Sequence, residues 1–217
     1  MSKSLLLDFD GVLFANDKMN KIIEHRSTIY LNHHTKIPYK VASKINSKFY
    51  KQFGHTVNLV KELVEDSSTV TMEDFNDFVY SRKTLRSIKE ELTLNDMELS
   101  RLWGYTIQEY IDSGYSVKIF SNAPLVWIEE CLFTLSNDML SFDDITCFDN
   151  LSRLKPDIHS YLETYKNENR IIFVDDSFDN LKPIQGDDVW IPVLFGNAIV
   201  SDMCFTTDNP LHLKKFI

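Results

Sequence analysis

The chain has 217 residues, 43% of them hydrophobic, which is enough to bury a core as one large domain or as a core with a smaller inserted domain. Its formal net charge is -9, and this acidic balance argues against a protein that binds nucleic acid polymers through a basic face. A small anionic substrate stays open, because local charges and a bound metal would decide its binding.

The cysteine pattern argues against a disulfide framework and against a zinc site. The three cysteines are far apart and form no CxxC pair; they are Cys131, Cys147 and Cys204. We therefore expect a reduced, cytoplasmic protein. No membrane span is expected either, because the apolar run at 5–7 ends at Asp8 and is too short for a span or a signal peptide.

The first part of the chain predicts one buried strand followed by a helical insertion. Residues 4–9 are almost wholly apolar, as in a strand buried on both faces of a parallel sheet, and Gly11 allows a sharp turn after them. Residues 16–93 hold many helix formers and no convincing strand. The helices predicted there span 40–53, 57–65 and 71–80. We interpret residues 16–93 as an all-helical cap domain.

The rest of the chain alternates between helices and strands. The predicted strands are 117–120, 145–148, 170–174 and 189–194. The predicted helices span 95–113, 156–165 and 178–184, with another starting at Pro124. Asn95 is interpreted as an N-cap, and Pro124 and Pro156 as helix starts, where proline is favoured. This alternation predicts a Rossmann-like, doubly wound parallel α/β sheet with right-handed crossovers, formed by residues 1–15 and 94–217.

Polar residues follow the predicted strands at their carboxyl ends, where ligands bind in open α/β sheets. Asp8 and Asp10 follow the first strand, and Lys155 directly precedes a predicted helix. The others are Ser121 and Asn122 after the second strand, and Asp175, Asp176 and Asn180 after the strand at 170–174. All of them are predicted to meet at one edge of the sheet.

These residues suit phosphoryl transfer from a monoester. The Asp8 carboxylate can attack phosphorus, while Asp10 can protonate the leaving oxygen and later activate water. Mg²⁺ prefers oxygen ligands such as Asp8, Asp176 and a backbone carbonyl. Lys155 and the Ser121 hydroxyl can offset charge on the phosphoryl oxygens and bind them.

Four segments resemble, in order along the chain, the four motifs of the haloacid-dehalogenase-like superfamily. They are DFDGVL at 8–13, IFSN at 119–122, LKPD at 154–157 and FVDDSFDN at 173–180. The resemblance implies a Mg²⁺-dependent hydrolase with the predicted core. It also implies a small helical cap, inserted after the first motif, which closes over the site and excludes water.

The same resemblance implies a role for each matched residue. Asp8 would be the nucleophile and Asp10 the acid and base. Phosphate binding would fall to Ser121, Asn122 and Lys155, of which Lys155 also stabilises charge. The implied metal ligands are Asp8, the Asp10 backbone carbonyl and Asp176, assisted by Asp175, with Asn180 orienting the metal shell.

A narrower resemblance concerns the substrate. Residues 48–56, KFYKQFGHT, resemble a stretch in the cap of pyrimidine 5′-nucleotidase-like members, whereas GV at 11–12 resembles the deoxyribonucleotidases. This implies a nucleoside 5′-monophosphate as substrate, with Phe49, Phe53 and His55 as candidate contacts to it. A sugar phosphate or another small phosphomonoester is the alternative.

Each candidate also has an ordinary structural interpretation. Asp pairs are common in surface turns, Ser121 could cap a helix, and Lys155 could be a solvated surface lysine. Aromatic residues at helical spacing, such as Phe49 and Phe53, are more often part of a core.

Two functions from other classes stay open as well. A haloacid dehalogenase would share the fold and the Asp8 nucleophile. It protonates no alkoxide and needs no Mg²⁺, so Asp10 and the acids at 175–176 argue against it. A non-catalytic binding protein on the same fold would be favoured by a lost nucleophile or metal ligand, and none is lost.

Overall fold

The chain divides into two compact units in a computed structural model that describes residues 2–53, 55–135, 140–196 and 204–217, with backbone alone for 49–53. The α/β unit comprises Met1–Ala15 and Thr93–Ile217. The helical unit comprises Asn16–Leu92. The assignment of the helical unit as a cap stays a prediction.

The helical unit contains only helices among its described elements. They are α1 (Asp17–Thr35), α2 (Tyr39–Phe53), α3 (Thr56–Leu63), α4 (Met72–Val79) and α5 (Arg82–Glu91). Asn16 begins α1, because its side chain accepts hydrogen bonds from the amides of Lys18 and Met19. Thr71 caps α4 in the same way, as its sequence predicts. Apolar side chains of these helices pack into one cluster, which includes Leu31, Val57, Val60, Phe75 and Val79.

The α/β unit is built on a six-stranded sheet. Its strands are β1 (Lys3–Leu7), β2 (Ser116–Phe120), β3 (Asp144–Thr146), β4 (Arg170–Asp175), β5 (Trp190–Phe195) and β6 (Phe205–Thr207). They lie in the order β3-β2-β1-β4-β5-β6, and every neighbouring pair is parallel. The predicted parallel α/β fold class is therefore confirmed.

The register of the central strands fixes where the chemistry lies. Leu7 pairs with Ile119 of β2 on one side and with Val174 of β4 on the other. The residues that follow these three positions, Asp8, Phe120 and Asp175, therefore lie side by side at the carboxyl edge of the sheet. The side chains of Leu5, Leu6 and Leu7 in β1 are fully buried, as the unbroken apolar run predicts.

Four helices complete the α/β unit among the described residues. They are α6 (Leu94–Asp112), α7 (Leu125–Leu135), α8 (Ile158–Tyr165) and α9 (Phe178–Leu181). Aromatic rings of α8 pack on the sheet, where Tyr161 meets Phe120 edge-on at 5.2 Å. No helix in the described part of the chain is both long and apolar enough to span a membrane.

Several predicted boundaries are wrong by a few residues. Asn95 does not cap α6. Thr93 does, in a capping box with Asp96 whose side chain accepts from the Thr93 amide at 2.7 Å. Helix α8 begins after the N-cap Asp157 and not at Pro156. The strand predicted at 145–148 is only β3, since the chain turns into a 3₁₀ segment at Phe148–Asn150.

Candidate active site

Asp8 directly follows β1. Its carboxylate oxygen Oδ1 has hydrogen-bonding and charged partners, whereas Oδ2 is available to attack a substrate. Its amide donates to the Val174 carbonyl at 2.9 Å, which continues the sheet ladder by one residue. Oδ1 accepts from the Phe9 amide at 2.7 Å and lies 3.1 Å from the Lys155 ammonium. No donor among the described residues reaches Oδ2. The side chain is thus fixed in orientation and retains an oxygen for attack.

Lys155 is a buried cation and not the surface lysine that its residue type suggests. It is 1% exposed, and Nζ lies 2.6 Å from Oδ2 of Asp175 and 2.9 Å from the carbonyl oxygen of Phe120. Burial lowers the pKa of Lys155, but the carboxylates of Asp175 and Asp8 outweigh burial and hold the pKa above its usual value. The ammonium therefore carries a positive charge beside Asp8.

Asp175 is fully buried and already has several donors. Besides Lys155, its carboxylate accepts from the Ser177 amide at 2.8 Å and from the Asn180 side-chain amide at 3.0 and 3.1 Å. Asn180 is itself held in place, because its backbone carbonyl accepts a hydrogen bond from the Tyr161 hydroxyl at 2.6 Å. These contacts suit Asp175 and Asn180 to supporting the site more than to direct coordination of a metal.

Three carboxylates converge closely enough to bind one cation. Oxygen atoms of Asp8, Asp175 and Asp176 lie within 4.8 Å of one another, and Asp176 is exposed, which gives an ion access. Desolvation and the Asp8 charge raise the pKa of Asp176 to about 6. One lysine cannot balance three acids, and hard carboxylate oxygens are the ligands that Mg²⁺ prefers. The group fits Mg²⁺, with Asp8 and Asp176 as the available ligands.

Asp10 lies outside that carboxylate group and contacts a different element. Its Oδ1 accepts a hydrogen bond from the indole N–H of Trp127 on α7 at 2.9 Å. Burial raises the pKa of Asp10 to about 7, against the lowering effect of the Trp127 hydrogen bond. A carboxyl group with a pKa near neutrality can both give and take a proton. Coordination of a metal by the Asp10 backbone carbonyl stays a prediction.

Gly11 allows the first loop to approach Asp176. Its φ is 80°, and a Cβ at this position would overlap the Asp176 carboxylate. The Gly11 amide donates to the Phe14 carbonyl at 2.8 Å, which closes the turn. The predicted sharp turn therefore serves a close approach between the loops after β1 and β4.

We expect Gly11→Ala to destabilise the protein strongly and to weaken Mg²⁺ binding. A side chain at positive φ costs about 1–2 kcal/mol, and overpacking against Asp176 adds about 1–3 kcal/mol. Urea unfolding and a Mg²⁺ titration measure the two effects. Gly114→Ala is the matched control, because Gly114 has a φ of 79° but nothing within 4 Å of an added Cβ. Equal losses in the two variants would contradict a collision with Asp176.

The Ser121 and Asn122 pair follows β2 as predicted, but the two side chains do different things. Ser121 is buried, and its Oγ accepts from the Ala123 amide at 3.3 Å. This contact uses a lone pair of the oxygen, so the hydroxyl proton can still be donated to a ligand. The Asn122 side chain instead donates to the Lys155 carbonyl and accepts from the Lys155 amide, both at 2.9 Å. The Asn122 side chain therefore positions Lys155. Phosphate binding by Asn122 stays a prediction.

Of the three predicted substrate contacts in the helical unit, the structure describes the side chain of one, His55. The side chains of Phe49 and Phe53 lie outside the described residues. His55 is described and is only 5% exposed. Its Nδ1 accepts from the Val57 amide at 3.3 Å as the N-cap of α3, and its ring meets Phe75 edge-on at 4.6 Å. The His55 ring thus has a structural role in capping and in the core of the helical unit. A contact between His55 and substrate stays a prediction.

Acid should destabilise the protein through His55. Burial lowers the pKa of His55 in the folded state from 6.5 to about 4, so its unfolded form binds the proton more readily. The neutral His55 therefore contributes fully to the free energy of unfolding above pH 6.5. This contribution, about 3 kcal/mol in all, is lost as the pH falls toward 4. Urea unfolding across this range measures it. His55→Asn keeps an N-cap acceptor and removes the titration, so an unchanged pH slope in that variant would refute this origin.

No family model matches the sequence, and no curated protein does either. Solved structures do match over nearly the whole chain. One is a HAD phosphatase from Thermococcus onnurineus, with 15% identity, a TM-score of 0.61 and coverage of 99% of this chain and 97% of that one. Another is CbbY from Rhodobacter sphaeroides in complex with phosphate, with 12% identity, a TM-score of 0.63 and coverage of 98% and 96%.

The similarity extends to an enzyme of another activity. A 2-haloacid dehalogenase from Pseudomonas syringae pv. Tomato DC3000 matches with 15% identity, a TM-score of 0.56 and coverage of 99% of this chain and 97% of that one. Together with the six-stranded parallel sheet, these matches show a haloacid-dehalogenase-like fold. The residues at the strand ends have to distinguish between the activities that this fold carries.

Proposed function

We propose that the chain is a Mg²⁺-dependent phosphomonoesterase that works through an aspartyl-phosphate on Asp8. The observation that carries this proposal is the separation of two acids. Asp8 lies with Asp175, Asp176 and Lys155, while Asp10 is held apart by a hydrogen bond from another helix. A dehalogenase needs a nucleophile such as Asp8, but its reaction produces no alkoxide for Asp10 to protonate.

The proposed reaction has two halves. Oδ2 of Asp8 attacks phosphorus, and the bond from phosphorus to the leaving oxygen breaks. Its electron pair goes to that oxygen, which takes a proton from Asp10. A water molecule then attacks the phosphorus of the aspartyl-phosphate and gives a proton to Asp10. The bond from phosphorus to Asp8 breaks and inorganic phosphate leaves, so the enzyme returns to its starting state.

Negative charge on the transferred phosphoryl group would be offset by groups that the protein already holds in position. Lys155 faces Asp8 and can approach the transferred phosphoryl group without reorganising, because Asp175 and Asn122 hold it. Ser121 is the proposed side-chain donor to a phosphoryl oxygen. Asp8 and Asp176 would hold Mg²⁺, which when bound offsets negative charge on the phosphoryl oxygens.

The proposed substrate is a nucleoside 5′-monophosphate, with a sugar phosphate or another small phosphomonoester as the alternative. The resemblance of residues 48–56 to a nucleotidase cap supports a nucleotide substrate. Within this stretch, His55 is buried and has a structural role. We propose that the helical unit is the cap and selects the leaving group. A panel of nucleotides and sugar phosphates, compared by kcat/KM, distinguishes the two substrate classes.

The proposal is tested with 4-nitrophenyl phosphate before and after removal of metal by EDTA. We expect turnover that requires added Mg²⁺ and no release of chloride from 2-chloropropionate. Chloride release without phosphatase activity would assign a dehalogenase. Folded protein that is inactive on 4-nitrophenyl phosphate and on the whole panel would assign a non-catalytic binding protein.

A further inference from the structure

Trp127 contacts a residue of the proposed chemistry directly, and no sequence motif accounts for it. It lies in the first turn of α7 and is 1% exposed. The helix starts only a few residues after β2 ends, so its first turn lies at the carboxyl edge of the sheet. There the indole N–H donates to Oδ1 of Asp10, 117 residues earlier in the chain.

The indole is fixed by the same turn that carries Asp10. Phe14 meets the Trp127 ring edge-on at 5.7 Å, and Phe9 stacks on Phe14 at 6.1 Å. The backbone ties these positions together, because the Phe9 carbonyl accepts from the Phe14 amide at 2.9 Å and Asp10 bridges to Phe14. The indole and the carboxyl group of Asp10 therefore have little freedom to move relative to each other.

The donor type decides which oxygen of Asp10 is available. An indole nitrogen can only donate, so Oδ1 must act as the acceptor in this contact. A proton carried by Asp10 then favours Oδ2, because the carbonyl oxygen of a carboxylic acid is a better acceptor than its hydroxyl oxygen. A hydroxyl or an amide in place of the indole could accept as well as donate, and would leave the proton free to occupy either oxygen.

We propose that Trp127 is a positioning residue for Asp10, which by holding Oδ1 leaves Oδ2 to exchange the proton with the leaving group and with water. This inference rests on the proposed phosphomonoesterase reaction and deepens it. In the first half the leaving oxygen takes its proton from Oδ2 as its bond to phosphorus breaks. In the second half the attacking water returns a proton to Oδ2.

The test compares Trp127→Phe with wild type on two substrates that differ in the leaving group. An alkyl phosphate needs a proton on its leaving oxygen, whereas 4-nitrophenolate departs without one. We expect kcat/KM to fall about ten- to a hundred-fold for the alkyl phosphate and less than about three-fold for 4-nitrophenyl phosphate. The value of kcat/KM is used because it reports the steps up to departure of the leaving group.

Trp103→Phe is a matched control. Trp103 is also fully buried, and its indole N–H donates at 2.7 Å to the Val12 carbonyl of the same loop. The control therefore loses an equivalent hydrogen bond without touching Asp10. We expect it to affect both substrates equally. A loss in Trp127→Phe that is equal for both substrates, or no larger than in Trp103→Phe, would overturn the proposal.

A double mutant gives an independent readout. In an Asp10→Asn background, Trp127→Phe should cause no further loss on the alkyl phosphate, because the group that it positions no longer carries the acid proton. Full additivity of the two losses would overturn the proposal. If Trp127→Phe does not fold, the benzothiophene analogue of tryptophan at this position removes only the N–H and the same outcomes apply. Absence of turnover in wild type would instead refute the proposed function.

Discussion

Asp8→Asn should lower phosphatase turnover by about a thousand-fold or more while leaving the fold intact. Asparagine has nearly the same shape as aspartate, and its carbonyl oxygen can still accept from the Phe9 amide that holds Oδ1. The position facing a substrate would then carry an uncharged amide, which cannot form an acyl phosphate. Initial rates with 4-nitrophenyl phosphate and saturating Mg²⁺ measure the loss.

Trapping of the intermediate separates this mechanism from direct attack by water. Wild-type protein quenched in acid during turnover of a labelled phosphomonoester should retain label, and Asp8→Asn should retain none. Asp188→Asn is the control for the substitution itself, since Asp188 is exposed in another loop and should keep full activity and labelling. Wild-type rates in Asp8→Asn would end the assignment of Asp8 as nucleophile.

The convergence of Asp8, Lys155 and Asp175 could be predicted from sequence because topology decides it. Strands of a parallel sheet present their carboxyl ends at one edge, so polar residues after apolar runs meet there wherever the runs lie in the chain. Spacing could also have located the start of α6. Thr93 and Asp96 form a capping box, and their spacing of three residues indicates the N-cap better than Asn95 alone does.

Side-chain pairings between distant segments were not predictable in this way. Nothing near Trp127 in the sequence marks it as the partner of Asp10, because the contact depends on how α7 packs against the loop after β1. Lys118 is a similar case. A lysine inside a core strand is unexpected until its ammonium is found 2.9 Å from Glu168, with the two side chains only 19% and 10% exposed.

Lys155→Met should lower the free energy of unfolding by about 3–5 kcal/mol, the range for removing one partner of a buried ion pair. Methionine fills much of the lysine stem's volume but leaves the buried Asp175 carboxylate without its nearest cation. Lys182→Met is a matched control, because Lys182 also lies 2.6 Å from a carboxylate, that of Asp179, but with side chains 56% and 42% exposed. Its loss should be below about 1 kcal/mol, since water screens the pair. Urea unfolding of both variants gives the comparison.

Neutralising Asp175 tests the physical cause of the stability loss expected in Lys155→Met. If uncompensated charge is responsible, adding Asp175→Asn to Lys155→Met should restore part of the lost stability, although Asp175→Asn alone should destabilise the wild type. The amide can still accept from the Ser177 amide, so the loop after β4 keeps that contact. If the double variant were as unstable as the sum of the two single losses, the stranded charge would not be the cause. The lost cation–π contacts of the Lys155 ammonium with the Phe120 and Phe173 rings, at 5.3 and 5.1 Å, would then have to carry the effect.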